Sequence, residues 1–249
     1  MQRVRTDEWM DDPEIPPQEH QAALAGLRRL NAISGVSRLL YRHVRRHARV
    51  VAPRPLRVMD VACGSGDLAI DWLKRARTDK IRLNMTLVDR SEEAIQLAQR
   101  RAAEADVEIK TEIADCITAS LPRFQDVAVC SLFMHHLEDH DAIHLVQSLY
   151  RSAERSVIIC DLERSRLNLA LVWAAGHLVT RSPVVHHDGP ASVRGAYSRE
   201  ELARLLHRAL GYQPPVRRVI PCRMIAVLDR VCEVIEEPAL AESLAAAPA

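Results

Sequence analysis

Apolar residues recur along this chain in two rhythms. Short apolar runs at 57–61, 83–89, 107–113, 126–133 and 156–161 have the length of buried strands and are bounded by turn residues. The intervals between them are long enough for helices. Ser91, followed by Glu92 and Glu93, marks one helix start: a capping hydroxyl with acids in the first turn. Strands alternating with helices predict an α/β fold, a doubly wound and mostly parallel sheet with helices on both faces. Further along, Ser198-Arg199-Glu200-Glu201 reads as a capping box for a helix over 200–210, which Gly211 ends. Segments 216–220 and 224–230 then read as a closing antiparallel hairpin, bringing the sheet to about seven strands.

Both ends of the chain depart from this alternation. Residues 1–17 read as extended, with Pro13, Pro16 and Pro17. Helices are expected over 18–33 and 37–50, separated by Gly35. On the second of these, Arg38, Arg42, Arg45 and Arg49 share one face, and Val36, Leu40, Val44 and His47 share the other. The basic face is solvated, or it is a candidate peripheral contact to a membrane surface or a polyanion. The expected organisation is an N-terminal helical extension over 1–52, a main domain over 53–237 and an alanine-rich tail over 238–249. The main domain carries an insertion at about 164–197.

Composition narrows the function classes. The chain has 249 residues, 48% of them apolar, enough to bury a sizeable core, and a net charge of only +1. Aromatic residues make up 4% and do not interleave with the arginines, which argues against a surface that stacks nucleic-acid bases. Cysteines 63, 116, 130, 160, 222 and 232 show no paired spacing, as expected for reduced thiols in a cytoplasmic protein. The chain starts with polar residues and shows no secretory leader, and the apolar run at 167–179 is too short to span a bilayer.

Residues 57–70 carry the strongest chemical signal. A strand runs into Gly64-Ser65-Gly66 and then into a helix, an arrangement that presents bare backbone N–H groups to a ligand. The run from Gly64 to Ala69 formally fits a dinucleotide-binding pattern. Asp60 weighs against that reading, because a carboxylate at the strand end repels a pyrophosphate and suits a ligand bearing positive charge. The segment Asp60-Val61-Ala62-Cys63-Gly64-Ser65-Gly66 resembles the first motif of class I S-adenosylmethionine-dependent methyltransferases, with Ala62 in place of the first glycine. The resemblance implies a Rossmann-like sheet and S-adenosylmethionine as cofactor, leaving S-adenosylhomocysteine as product. It places Asp60, Ala62, Cys63, Gly64 and Gly66 at the methionine portion and Asp89 at the ribose hydroxyls, with Arg90 alongside. Asp115 and Cys116 would lie near the adenine, and Leu132 would line the cofactor.

The acceptor side is read from position and residue type. His135 and His136 follow the fourth strand, and His186, His187 and Asp188 sit in the connection after the fifth. His187 is the expected general base, with His136 and His135 the other candidates. The connection over 186–197 reads as a polar, glycine-containing loop that faces substrate, and the apolar helix over 167–179 as a pocket wall, core or dimer face. Together they give Trp173, His177, His186, Asp188, Arg194 and Tyr197 as expected substrate contacts. The cluster His135, His136, Glu138, Asp139, His140 and Asp141 is rich in ligand atoms. Its second half reads as a helix start, so no metal is expected.

The chain also lacks the Asn/Asp-Pro-Pro-aromatic signature of base-directed amino-methyltransferases after its fourth strand. Its only Pro-Cys, Pro221-Cys222, falls in the closing hairpin. The run 60–69 is similar to quinone-biosynthesis C-methyltransferases, and 187–194 to methyltransferases of polyketide and phenolic-lipid pathways, the second likeness being the one that favours O-methylation. These likenesses imply a small apolar phenolic or lipid-like acceptor, with O-methylation favoured over C-methylation and no nucleic acid as partner. The alternatives are an RNA methyltransferase and a catalytically silent protein that binds the cofactor.

Overall fold

The computed structural model describes residues 1–12 and 14–230; the tail expected over 238–249 and Cys232 lie outside them. Among the described residues seven strands form one sheet: β1 (Leu56–Val61), β2 (Leu83–Asp89), β3 (Lys110–Ile113), β4 (Gln125–Ser131), β5 (Ala153–Leu162), β6 (Val216–Val219) and β7 (Arg223–Asp229). Their order is β3-β2-β1-β4-β5-β7-β6. The first five are parallel, and β7 runs antiparallel to both β5 and β6. The chain builds outward from β1 on one side through β2 and β3, then returns to lay β4 on the other. The strand order therefore reverses between β1 and β4, and the carboxyl ends of strands at such a switch point are where doubly wound sheets bind their ligands.

Among the described residues eight α-helices flank the sheet: α1 (Pro17–Ser34), α2 (Val36–Val51), α3 (Asp67–Asp79), α4 (Glu92–Glu104), α5 (Asp139–Ser152), α6 (Arg166–Val179), α7 (Pro183–Gly195) and α8 (Arg199–Leu210). Strand alternation sorts the core into two layers. Met59, Val61, Ala128 and Cys130 pack with Leu145 and Leu149 of α5 and Leu205 of α8. Val58, Val127 and Val129 pack with Leu40 and Val44 of α2 and Trp72 of α3. The central strands are buried on both faces, which explains their unbroken apolar runs.

The local signals act as the sequence implies. Ser91 Oγ accepts from Ala94 N at 3.1 Å, Ser198 and Glu201 form a reciprocal capping box, and Gly211 ends α8 with φ at 79°. The basic face of α2 is real: Arg38, Arg42 and Arg49 are exposed. A cavity of about 380 Å³ opens beside it, lined by Arg38, Tyr41, Arg42, Arg45, Arg75, Thr78 and Asp79. Among the described residues no helix is long and apolar enough to cross a membrane.

Several elements differ from expectation, among them β5, which starts at Ala153 rather than 156. β3 starts at Lys110, three residues later than the apolar pattern suggested. β4 stops at Ser131, because Leu132 turns to φ 56° and breaks the ladder. The expected loop over 186–197 is mostly helix, α7. Ser182 caps it, accepting from Val185 N at 3.5 Å, and Pro183 occupies its first turn. Its buried face carries Val184, Val185, Asp188, Ala191 and Val193. Gly189-Pro190 conceals this periodicity in the sequence, and the glycine has a packing reason. A Cβ on Gly189 would come within 2.9 Å of Val172 Cγ1 on α6, so the glycine lets the two helices meet closely.

Candidate active site

The carboxyl ends of β1 and β2 bring two carboxylates together. Asp60 ends β1 with 2% of its surface exposed. Burial, and then the neighbouring charge of Asp89, push its pKa up to about 7. The loop beyond it turns through three left-handed residues: Ala62 (φ 54°), Gly64 (φ 52°) and Gly66 (φ 71°). Asp89 ends β2 and organises this loop. Its Oδ2 accepts from Gly64 N at 2.8 Å and its Oδ1 from Ser91 N at 3.0 Å. Cys63 N donates to Val88 O at 3.2 Å, and burial drives the Cys63 thiol far above its ordinary range. Arg101 of α4 clamps the loop from behind through Ser65 O at 2.9 Å and the Asp67 carboxylate.

The other expected cofactor contacts lie at the same edge. Arg90 is exposed at the tip of β2. Asp115, after β3, is exposed and accepts from Ile117 N at 2.8 Å. Cys116 is buried, and that burial, with Asp115 beside it, pushes its pKa up to about 12. Leu132 follows β4, held by a 2.8 Å bond from its N–H to Cys160 O.

A short 3-10 turn, Met134–His136, follows β4 and carries the histidine pair. His135 is buried and its Nδ1 donates to Asp161 Oδ1 at 2.6 Å, while its backbone N–H donates to Oδ2 at 2.8 Å. Burial alone would lower its pKa, but the Asp161 charge and hydrogen bond outweigh it and raise the value. Asp161 itself is held below the usual carboxylate range, its burial outweighed by His135. His136 lies against His135, ring centroids 4.2 Å apart, and burial together with that neighbour lowers its pKa to about 3.

The N-terminal segment crosses this turn as a strap. Val4 N donates to Arg194 O at 3.1 Å, and Arg3 reaches Gly195 O and Leu137 O, each at 2.6 Å. On the far side Trp9 N and Met10 N donate to the two oxygens of Asp188, at 2.8 and 3.0 Å. Glu8, between these anchors, accepts from Ser192 Oγ at 2.6 Å. Its Oε1 lies 4.0 Å from both His135 Nε2 and His136 Nδ1. The sequence reading missed Glu8 and gave Asp161 no role. Asp161 had a signal, an acid ending an apolar strand, as Asp60 and Asp89 do. Glu8 had none, because its place depends on contacts nearly 200 residues away.

The remaining expected residues fall into two groups. His187 stacks on Trp9, centroids 4.1 Å apart, and donates to Asp188 Oδ1 at 2.8 Å, so it belongs to the anchoring of the strap. Tyr197 is buried; its hydroxyl donates to Leu137 O at 3.1 Å and Arg3 lies over its ring. Trp173 and Arg194 line a groove of about 540 Å³ between α6 and α7, with Arg166, Leu169, Ala170, Ala174 and Pro190. His177 and His186 stack on one another at 4.0 Å, and His186 Nε2 donates to Thr180 O at 2.9 Å. Leu169 and Val172 also pack with Leu132, Leu162, Val193 and Ala196, so the groove adjoins the end of β4.

Residues 58–156 match a family model described as a methyltransferase domain. No curated protein matches the chain. Solved structures do. A candidate O-methyltransferase from Nostoc punctiforme superposes with a TM-score of 0.62 at 14% identity, over 92% of this chain and 64% of its own. Magnesium protoporphyrin IX methyltransferase from Synechocystis with bound S-adenosylhomocysteine gives 0.54 at 16%, over 88% and 90%. A plantazolicin methyltransferase in complex with a substrate analogue and S-adenosylhomocysteine gives 0.63 at 16%, over 89% and 92%. The chain thus spans just under two thirds of the first of these proteins. The match to the methyltransferase domain contains Asp60, the glycine loop, Asp89, Asp115 and the histidine pair. It stops before Asp161, α6 and α7, and it begins after the strap.

Proposed function

We propose that the protein transfers a methyl group from S-adenosylmethionine to a hydroxyl of a small apolar acceptor. The observation that carries the reading is the methyltransferase-domain match over 58–156 together with the carboxylate-and-glycine cluster at the β1 and β2 ends. In this reading Asp60 and the loop of Ala62, Cys63, Gly64 and Gly66 take the cationic methionine portion. Asp89 takes the ribose, with Arg90 beside it. Asp115, Cys116 and Leu132 border the adenine end. The groove between α6 and α7 holds the acceptor, its wall formed by Leu169, Ala170, Trp173 and Pro190, with Arg166 and Arg194 at the rim. Exposed Leu167, Leu171 and Leu178 on α6 add apolar surface for such a ligand.

Methyl transfer is an in-line displacement in which the sulfonium supplies the leaving group, so the protein aligns the acceptor and manages its proton. Of the two histidine sites, the geometry favours the pair after β4. It lies at the switch point, whereas His187 is stacked against Trp9 and turned to Asp188. Turnover on a panel of apolar phenols tests the choice. His136→Ala is expected to lower kcat by at least about tenfold through lost alignment of the acceptor, while His187→Ala keeps most of it. The opposite ranking, or methyl transfer only to carbon, would overturn the assignment.

A further inference from the structure

We propose that Glu8, His135 and His136 form a site for one divalent transition-metal ion, built jointly by the N-terminal strap and the turn after β4. The three side chains offer ligand atoms that all lie within 4.8 Å of one another. Two imidazoles and a carboxylate are a donor set suited to zinc or another late first-row ion, with coordination positions left open. Tautomer control is in place: a carboxylate only accepts, so Asp161 fixes the proton of His135 on Nδ1 and turns the Nε2 lone pair toward Glu8. A buried acid behind a histidine is the usual support of a metal-bound imidazole. Ser192 supports Glu8 in the same way by donating to Oε1.

The separations point the same way. Glu8 Oε1 is 4.0 Å from each histidine nitrogen. That is longer than a hydrogen bond. A metal bonded at about 2.0–2.2 Å to each ligand would hold them roughly 3–3.5 Å apart. Closing each Glu8–histidine gap takes about half an ångström of side-chain movement, and the partly exposed His136 has room to close on its neighbours. The strap holds Glu8 from both sides, through Arg3 and Val4 before it and Trp9 and Met10 after it.

The inference deepens the function proposed above and rests on it only for the acceptor's role. An acceptor hydroxyl bound at an open position would become more acidic and release its proton to solvent. Its oxygen would then attack the methyl carbon; the carbon–oxygen bond forms as the carbon–sulfur bond breaks, and the electron pair stays on sulfur.

The test strips the full-length protein with chelator and titrates it with cobalt(II) and zinc(II). A single bound equivalent is expected, with a visible cobalt band and without the near-ultraviolet thiolate band that cysteine ligands would add. Glu8→Gln and His136→Asn should each weaken metal binding at least about tenfold. Unchanged binding of S-adenosylhomocysteine would show that the variants are folded. Failure of the stripped protein to take up either ion, or wild-type affinity in both variants, would overturn the site. If no ion binds but His136→Ala still loses turnover, the metal falls and the functional reading stands. If the ion binds and His136→Asn turns over normally, the metal site stands and its role in the reaction falls.

Discussion

Asp60 is destabilising on its own and useful only with a cation beside it. Its pKa in the free protein is about 7, raised by burial and then by Asp89. An unfolded chain would titrate it near 3.9. The folded value lies above the unfolded one, so the free protein loses stability as pH rises from about 4 to 7. Asp60→Asn is expected to stabilise the free protein at pH 8 by on the order of 1–3 kcal/mol while weakening cofactor binding. The same titration makes affinity for S-adenosylhomocysteine in the wild type rise about tenfold between pH 6 and 8, with proton release on binding below pH 7. Calorimetry in buffers of different ionisation enthalpy checks this, and a flat pH profile would show that Asp60 is already ionised without ligand. Asp60 was legible in the sequence because an acid at the end of an apolar strand has few purely structural reasons to be there. Ala62 was legible as a stand-in for glycine, and its φ of 54° shows why glycine is the expected residue.

At the scale of elements, what could be read depended on how local each signal was. β1, β2, β4 and the capping boxes announce themselves within a few residues, because apolar runs and caps are local physics. α7 did not, since Gly189-Pro190 looks like a helix breaker until α6 is packed against it. Gly189→Ala is expected to destabilise the protein by about 1–3 kcal/mol, because the added methyl meets Val172 at 2.9 Å and the helices must part. Cofactor affinity should hold, since the contact lies between α6 and α7, away from the β1 and β2 ends. Urea unfolding with and without S-adenosylhomocysteine would show both effects, and an unchanged midpoint would mean that α6 and α7 yield freely there. The strap was read only as extended chain. Its function comes from Asp188, Arg194 and Gly195, whose positions no sequence period could supply.

The whole molecule is organised from opposite edges of one sheet. At the amino edge, fully buried Asp126 gathers β1, β4 and β5: Arg54 binds both its oxygens at 2.6 Å, and Arg57 and Arg155 lie at 3.3 and 3.5 Å. Burial alone would raise its pKa, but these partners hold it well below the usual carboxylate range. Its contribution is therefore complete above pH 4 and fades as pH falls below that. Asp126→Asn should cost about 2–4 kcal/mol at pH 7, and the gap to wild type should narrow at pH 3. A gap that stays constant with pH would mean packing, rather than charge, is what the residue supplies. At the carboxyl edge, the cofactor half was legible because its motif is contiguous. The proposed acceptor half was legible only as a region, because the strap, the β4 turn and α6–α7 that would form it are far apart in the sequence.

The claim that joins these scales is that the carboxyl edge binds S-adenosylmethionine through the β1 and β2 acids. Calorimetric titration of S-adenosylhomocysteine into wild-type protein and Asp89→Ala tests it most directly. The wild type should bind one molecule per chain. The variant should lose on the order of 2–4 kcal/mol, through the charge-assisted bonds to the ribose and the Gly64 and Ser91 bonds that shape the loop. Tight binding of NADH with no response to S-adenosylhomocysteine, or equal affinity in the variant, would contradict the account.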